Sequence, residues 1–255
     1  MNRQTLTGSV ALLLAVLALW QWGPAAAGLP EYVLPNLSRT WQEALRMSAD
    51  DLWRHTGITA LEVVVGFALG GLLGVAVGVA LGLSPTAEAV LSPYILALQI
   101  APKVAFAPLF VMWLGYTVYP KILVAILIVF FPIMVNVLSA IRTVDPDMIN
   151  LVRVLNGRRL QIFRLVEFPS AMPALFSGLR IGSTLAVIGV TVGELVGGNL
   201  GLGFLLVSGE GQGNTAAVFV AITMLTAIGI AAYGAVVWAE QRVLHYIPKA
   251  HHVSV

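Results

Sequence analysis

The chain of 255 residues predicts an all-α membrane protein of six transmembrane helices, with a cytoplasmic helical loop between the fourth and fifth. Composition is the first reason: 58% of residues are hydrophobic and 10% charged, with a mean hydropathy of +0.91, outside the range of a soluble domain. Second, six apolar runs match the roughly 20 residues needed to cross a hydrocarbon core about 30 Å thick. They fall at residues 5–22, 58–83, 93–114, 120–141, 173–196 and 215–239. Third, Arg142, Arg153, Arg158, Arg159 and Arg164 crowd the connection between the fourth and fifth spans, whereas 197–214 holds no Lys or Arg. An excess of positive charge marks the cytoplasmic side. It places this connection, the N-terminus with Arg3 and the tail with Arg242 and Lys249 in the cytoplasm. Arg39, Arg46 and Arg54 lie on the outer side by parity, an exception that Glu31, Glu43, Asp50 and Asp51 offset in charge.

The same composition argues against several functions. There is no cysteine, and His55, His245, His251 and His252 all lie outside the spans, so neither a redox centre nor a metal site is expected. No histidine is placed to serve as base for a membrane serine, so no catalytic residue is assigned. Lys103, Lys121 and Lys249 are the only lysines and none follows a glycine, so the chain has no P-loop and no ATPase activity of its own. The run GGNLGLGF (197–204) is not preceded by a strand and suits a re-entrant or surface segment better than a nucleotide loop.

The elements follow in order. Span one carries Arg3, the apolar run Val10–Trp20 and small residues at 24–28, which also fit a secretory signal; an uncleaved helix is the preferred reading. Residues 36–55 mix Trp41, Leu45, Leu52 and Trp53 with charges and read as an amphipathic helix on the outer lipid surface. Together residues 1–57 form an N-terminal segment, 58–247 a five-helix core and 248–255 a tail. Span two repeats glycine at 66, 70, 74, 78 and 82, a stripe that lets another helix approach closely. Span three holds Lys103 between Pro102 and Pro108, roughly 15 Å from its start. A cation at that depth faces protein, water or a pathway, and the prolines suggest a discontinuous helix. Span four contains Pro132, a candidate kink, and Asn136. In span five, Arg180 reads as a helix-end anchor and Glu194 lies at the outer mouth. Gln99, Lys103, Asn136 and Glu194 are the candidate substrate-pathway residues.

The basic connection has an internal plan. Asp145 followed by Pro146 is a helix start, an N-cap acceptor and then a proline where no N–H is needed. Met148, Leu151, Val152 and Leu155 form one apolar stripe, and Asn156-Gly157 is a stop, because both residues tolerate the left-handed backbone. A second short helix over 158–167 should end before Pro169. Physical chemistry alone leaves two readings open, a surface helix on anionic lipid and a knob that docks into another protein.

At these residues the sequence resembles the permease subunits of ATP-binding-cassette importers. Their cytoplasmic loop reads E-A-A, three residues, G, nine residues, I-x-L-P. Here the register is Asn150-Leu151-Val152, three residues, Asn156, nine residues, then Val166-Glu167-Phe168-Pro169. The spacing is kept; the acid, the two alanines and the glycine are replaced. Further blocks, PKVAFAPLFVMWLG, FFPIMVNVLSAIRTVDP, FPSAMPALFSGLRIG and GELVGGNLGLGFLL, are similar to the subgroup serving nitrate, taurine, aliphatic sulfonates and pyrimidine precursors. The resemblance implies a type I importer fold in which the loop is a coupling helix seated on a cytoplasmic ATPase subunit. It implies ATPase-coupling roles for Asp145, Asn150, Val152, Arg153, Leu155, Asn156, Gly157, Arg158 and Arg159. It also implies ATP and Mg on the partner rather than on this chain, a periplasmic solute-binding protein and a second permease copy as a homodimer, in contact with lipid and with no nucleic acid. Lys103 is compatible with an anion such as nitrate, taurine or a sulfonate. The rival, a self-sufficient secondary transporter or channel, predicts paired intramembrane acids and inverted repeats. Glu62 and Glu194 lie near one face without an evident pairing, and the two halves do not mirror each other.

Overall fold

A computed structural model describes residues 3–47 and 49–245. The tail 248–255, with Lys249, His251 and His252, lies outside the described residues, as does the Arg3 side chain. All regular structure among the described residues is helical. Five helices are long and apolar enough to cross a membrane, and a bent pair supplies a sixth span. The chain divides into two compact units, residues 1–59 with 198–227 and residues 60–197 with 228–255.

The first unit contains α1 (Arg3–Ala26), α2 (Leu37–Arg46), the start of α3 (Ala49–Leu83), α10 (Leu202–Gly211) and the start of α11 (Thr215–Val243). The sequence reading of 36–55 as one amphipathic helix is corrected here. The helix stops at Met47, which is extended, and a new one starts at Ala49 and runs without a break into the second span, 35 residues in all. Asp50 and Asp51 in its first turn suit a helix N-terminus and explain the restart. α2 turns Trp41 and Leu45 outward, while the Gln21 Oε1 accepts from both the N–H and the hydroxyl of Ser38. The glycine-rich run 197–204 becomes the entry to α10. Gly201 sits at φ 114°, open only to glycine, and has no side chain to cap the helix. Two α3 side chains do so instead: His55 Nδ1 accepts from Gly201 N–H at 2.9 Å and Thr59 Oγ1 from Leu202 N–H at 2.8 Å.

The second unit is built around α6 (Tyr119–Arg142). The glycine stripe of α3 lies along it in parallel: a Cβ built on Gly66, Gly70, Gly74, Gly78 or Gly82 would meet Ala125, Val129, Ile133, Val137 or Ile141 at 2.6–3.2 Å. α9 (Phe168–Gly197) grips the other side in the antiparallel sense, with Gly178, Gly182, Gly189 and Gly193 against Asn136, Ile133, Ala125 and Lys121. Small residues here replace the hydrophobic force that lipid removes, since close approach maximises van der Waals contact. α4 (Pro85–Ile100) and α5 (Ala107–Leu114) meet at a bend of 79°. The predicted third span is thus broken beside Lys103, as its prolines suggest, but it starts at Pro85 rather than near residue 93. Pro132 leaves α6 a single helix of 24 residues, and its carbonyl accepts from Asn136 Nδ2 at 2.8 Å.

Candidate functional site

The loop after α6 forms a knob of two short helices, α7 (Pro146–Val154) and α8 (Arg159–Ile162). Asp145 caps α7 by accepting from Asp147 N–H at 2.9 Å. At the other end Asn156 takes the left-handed backbone, φ 55°. Its N–H donates to Arg153 O at 2.9 Å, and that of Gly157 to Val152 O at 2.8 Å. This pair of bonds is a Schellman stop, with Asn156 in the glycine position. Gly157 is fixed for a second reason, because a Cβ there would lie 2.3 Å from Val152 Cγ1. α8 then starts with Gln161 Oε1 accepting from Arg158 N–H at 2.7 Å.

The predicted apolar stripe is modified by that turn. Met148, Leu151 and Leu155 are exposed, and so is Val154 at 80%, whereas Val152 is half-buried against Gly157. Arg153, Arg158 and Arg159 stand exposed around these apolar side chains, and Arg153 Nη1 donates to Asn150 Oδ1 at 3.3 Å. The helix predicted to stop before Pro169 does not stop. Residues 163–167 form one π-turn, closed by Phe168 N–H on Phe163 O, and the chain runs on into α9 as one span, Arg159–Gly197. A π-turn shifts the backbone register and so admits Pro169, which has no N–H to give. An ion pair of 2.8 Å from Arg159 to Glu167 ties the knob to this turn. Between the end of α6, α7 and the start of α9 lies a groove of about 390 Å³ lined by Asn136, Ser139, Thr143, Asp145, Met148 and Ser170.

The four proposed pathway residues fall in three places. Gln99 and Lys103 are together at the α4–α5 break, where the lysine Nζ donates to Gln99 O at 2.5 Å and stands 4.9 Å from the centre of the Phe131 ring. No acidic side chain lies within ion-pair distance of Lys103 among the described residues. Asn136 lines the groove beside the knob. Glu194 is only 1% exposed, at the end of the unit away from α7. Arg180 pairs with Glu240 at 3.4 Å.

Glu194 belongs to a group the sequence did not suggest. Lys121 Nζ contacts Glu62 Oε1 at 3.0 Å, both residues 2% exposed, and the Glu194 side chain interacts with the same Glu62 carboxyl. The sequence reading gave these acids no pairing, and the packing corrects it. Parallel α3–α6 and antiparallel α6–α9 contacts bring positions 62, 121 and 194 to one level. The glycine rows, visible in the sequence, were the signal that could have found them.

Fold and knob together define a polytopic membrane subunit that displays a rigid basic element between two tightly gripped spans. Residues 70–245 match the family of binding-protein-dependent transport system inner membrane components, and the chain belongs to that family, as the permease subunit of an ATP-driven importer. The riboflavin transport system permease protein RibX of Chloroflexus aurantiacus is 38% identical over 230 residues, 89% of this chain and 85% of that protein. A probable ABC transporter permease protein of Haemophilus influenzae is 33% identical over 227 residues, 89% of this chain and 92% of that one. The subgroup inferred from the sequence is also represented, by formylaminopyrimidine, aliphatic-sulfonate and taurine permeases at 30% identity. Among solved structures, a chain of the inward-facing MetNI methionine ABC transporter has a TM-score of 0.63 at 20% identity, covering 80% of this chain and 100% of that one. This likeness establishes the type I importer fold. The paired acids are the one feature the secondary-transporter rival anticipated, and family membership decides against it.

Proposed function

We propose that the α7–α8 knob is the element through which a cytoplasmic ATPase subunit, holding ATP and Mg, drives this permease. The observation that carries the reading is the knob itself. Its start, stop and second helix are all built by specific hydrogen bonds, yet Leu151, Val154 and Leu155 face outward beside arginines. A lipid-bound helix needs no such scaffold; a docking element does. In this reading the knob and both termini are cytoplasmic, and a periplasmic binding protein delivers solute at the other face. A second copy of the chain completes the pathway as a homodimer, an arrangement favoured by α4, none of whose residues is buried. Relatives are named as permeases for riboflavin, formylaminopyrimidine, sulfonates, taurine and bicarbonate. They point to a small polar solute, and Lys103 at the α4–α5 break favours one bearing negative charge.

The test is the double substitution Arg153→Glu, Leu155→Glu. Both side chains are exposed, so the bundle should fold and insert normally. Co-purification of the ATPase and solute-stimulated ATP hydrolysis should both be lost. Retention of both by the double variant would remove the coupling role from the knob.

A further inference from the structure

The group Glu62, Lys121 and Glu194 takes no part in the knob or at the α4–α5 break, and its charges do not balance. One ammonium and two carboxyls share a volume in which each residue is at most 2% exposed. Fully ionised, the group would leave an uncompensated negative charge out of reach of water. Lys121 satisfies Glu62 Oε1 at 3.0 Å. Glu62 Oε2 is buried without a hydrogen-bond partner, while the Glu194 side chain bears on this carboxyl.

Ionised carboxylates only accept hydrogen bonds, so contact between two of them is repulsive. A single proton converts it into an O–H···O bond in which one carboxyl donates and the other accepts. The backbones cannot separate to relieve the contact. Gly193, next to Glu194, lies so close to α6 that a Cβ there would be 2.6 Å from Lys121 Cα, and Gly66, one turn beyond Glu62, packs equally closely on Ala125. Among the described residues, the other ionisable groups of these helices are exposed or engaged elsewhere. α5 (APLFVMWL) has none, His55 on α3 is engaged with Gly201, Arg180 on α9 pairs with Glu240, and Tyr119 on α6 is exposed.

We propose that Glu62, Lys121 and Glu194 form a proton-binding site, with Lys121 charged and one proton shared between the two carboxyls. Binding takes a proton from water and forms one O–H bond; release returns the proton and restores carboxylate repulsion between α3 and α9. Proton occupancy therefore controls how firmly these helices are held against α6 at the end of the unit away from the knob.

The experiment uses the full chain, co-expressed with its ATPase subunit and placed in lipid nanodiscs. Infrared spectra at neutral pH should show the C=O stretch of a protonated carboxylic acid, shifted in heavy water. The band should be absent from both Glu62→Gln and Glu194→Gln, because each leaves a single carboxylate for Lys121. Titrating the wild type to alkaline pH should remove the band and lower heat stability together, whereas Glu194→Gln should lose no stability over the same range. The double variant Glu62→Gln, Glu194→Gln strands Lys121 and should fail to assemble, with added Lys121→Met restoring it. A wild type without the band at neutral pH, or a band that survives in either single variant, overturns the proposal. Should one single variant misfold, the other alone gives the same decision.

Discussion

Gly74→Ala tests whether the glycine row of α3 is a packing requirement. A Cβ at this position would lie 2.8 Å from the backbone oxygen of Phe130 and 3.1 Å from Ile133 Cβ. Neither atom is the end of a flexible chain, so α3 and α6 must move apart by several tenths of an ångström. Overpacking of this kind costs about 1–3 kcal/mol. Its neighbour supplies the control: at Gly71 the closest atoms are Ile133 Cδ1 at 3.6 Å and Leu179 Cδ2 at 3.7 Å, ordinary contacts. Both substitutions gain the same helix propensity, about 1 kcal/mol, which cancels between them. The difference between the two variants is therefore the overpacking alone, about 1–3 kcal/mol against Gly74→Ala. The assay is heat survival of the purified chain, read as the monodisperse fraction by fluorescence-detected size exclusion. Gly71→Ala should match or exceed the wild type, and Gly74→Ala should fall below it. Equal stability of the two variants would refute the argument that the row sets the α3–α6 distance.

Two further outcomes concern function. Gly157→Ala places a methyl 2.3 Å from Val152 Cγ1 and 2.7 Å from Val152 O; it should deform the knob without unfolding the spans, weakening ATPase co-purification by about tenfold or more, roughly 1.4 kcal/mol, while heat survival stays unchanged. Asn156→Gly, which only relaxes the φ of 55°, should keep the ATPase bound. Lys103→Met should change solute uptake in reconstituted vesicles by at least about tenfold, the effect of roughly 1.4 kcal/mol, with assembly intact; normal uptake would leave Lys103 only its bonds to Gln99 and its place over Phe131.

The parts of this protein readable from sequence are those fixed by local chemistry. Asp145-Pro146 and Asn156-Gly157 mark both ends of α7 because capping depends on a few adjacent residues. Pro102 and Pro108 announce the α4–α5 break because a missing N–H acts where it stands. Pro169 misled for the same reason: a lone proline reads as a stop, and only the π-turn before it explains why the helix continues. The group Glu62, Lys121 and Glu194 forms no local pattern, because its members are separated by 59 and 73 positions in the chain. Only the register of α6 between two glycine rows makes them neighbours. His55 was missed as well, since its role in capping α10 depends on Gly201, 146 residues away.

The same two rows bear on how movement at the knob would enter the membrane. α7 follows directly from α6, and α8 passes through the π-turn into α9, so both attachments of the knob lead into helices that pack on each other. Arg142 adds a third link, pairing with Glu88 at the start of α4 and donating to Leu81 O near the end of α3. In the proposed reading, a push on the knob would be shared by α6, α9 and the length of α3 packed on α6, because close-packed helices do not deform gradually. The contrast is the α4–α5 break. There the backbone bends by 79° within a few residues, no residue of α4 is buried, and Lys103 is held by one carbonyl and one ring face. With close-packed helices on one side of it and this bend on the other, relative movement would concentrate at the break, where Gln99 and Lys103 stand. If the knob couples to the ATPase and Lys103 meets a charged solute, as proposed, force applied at the knob would end at this break, and Lys103→Met with the knob intact separates the two ends of that path.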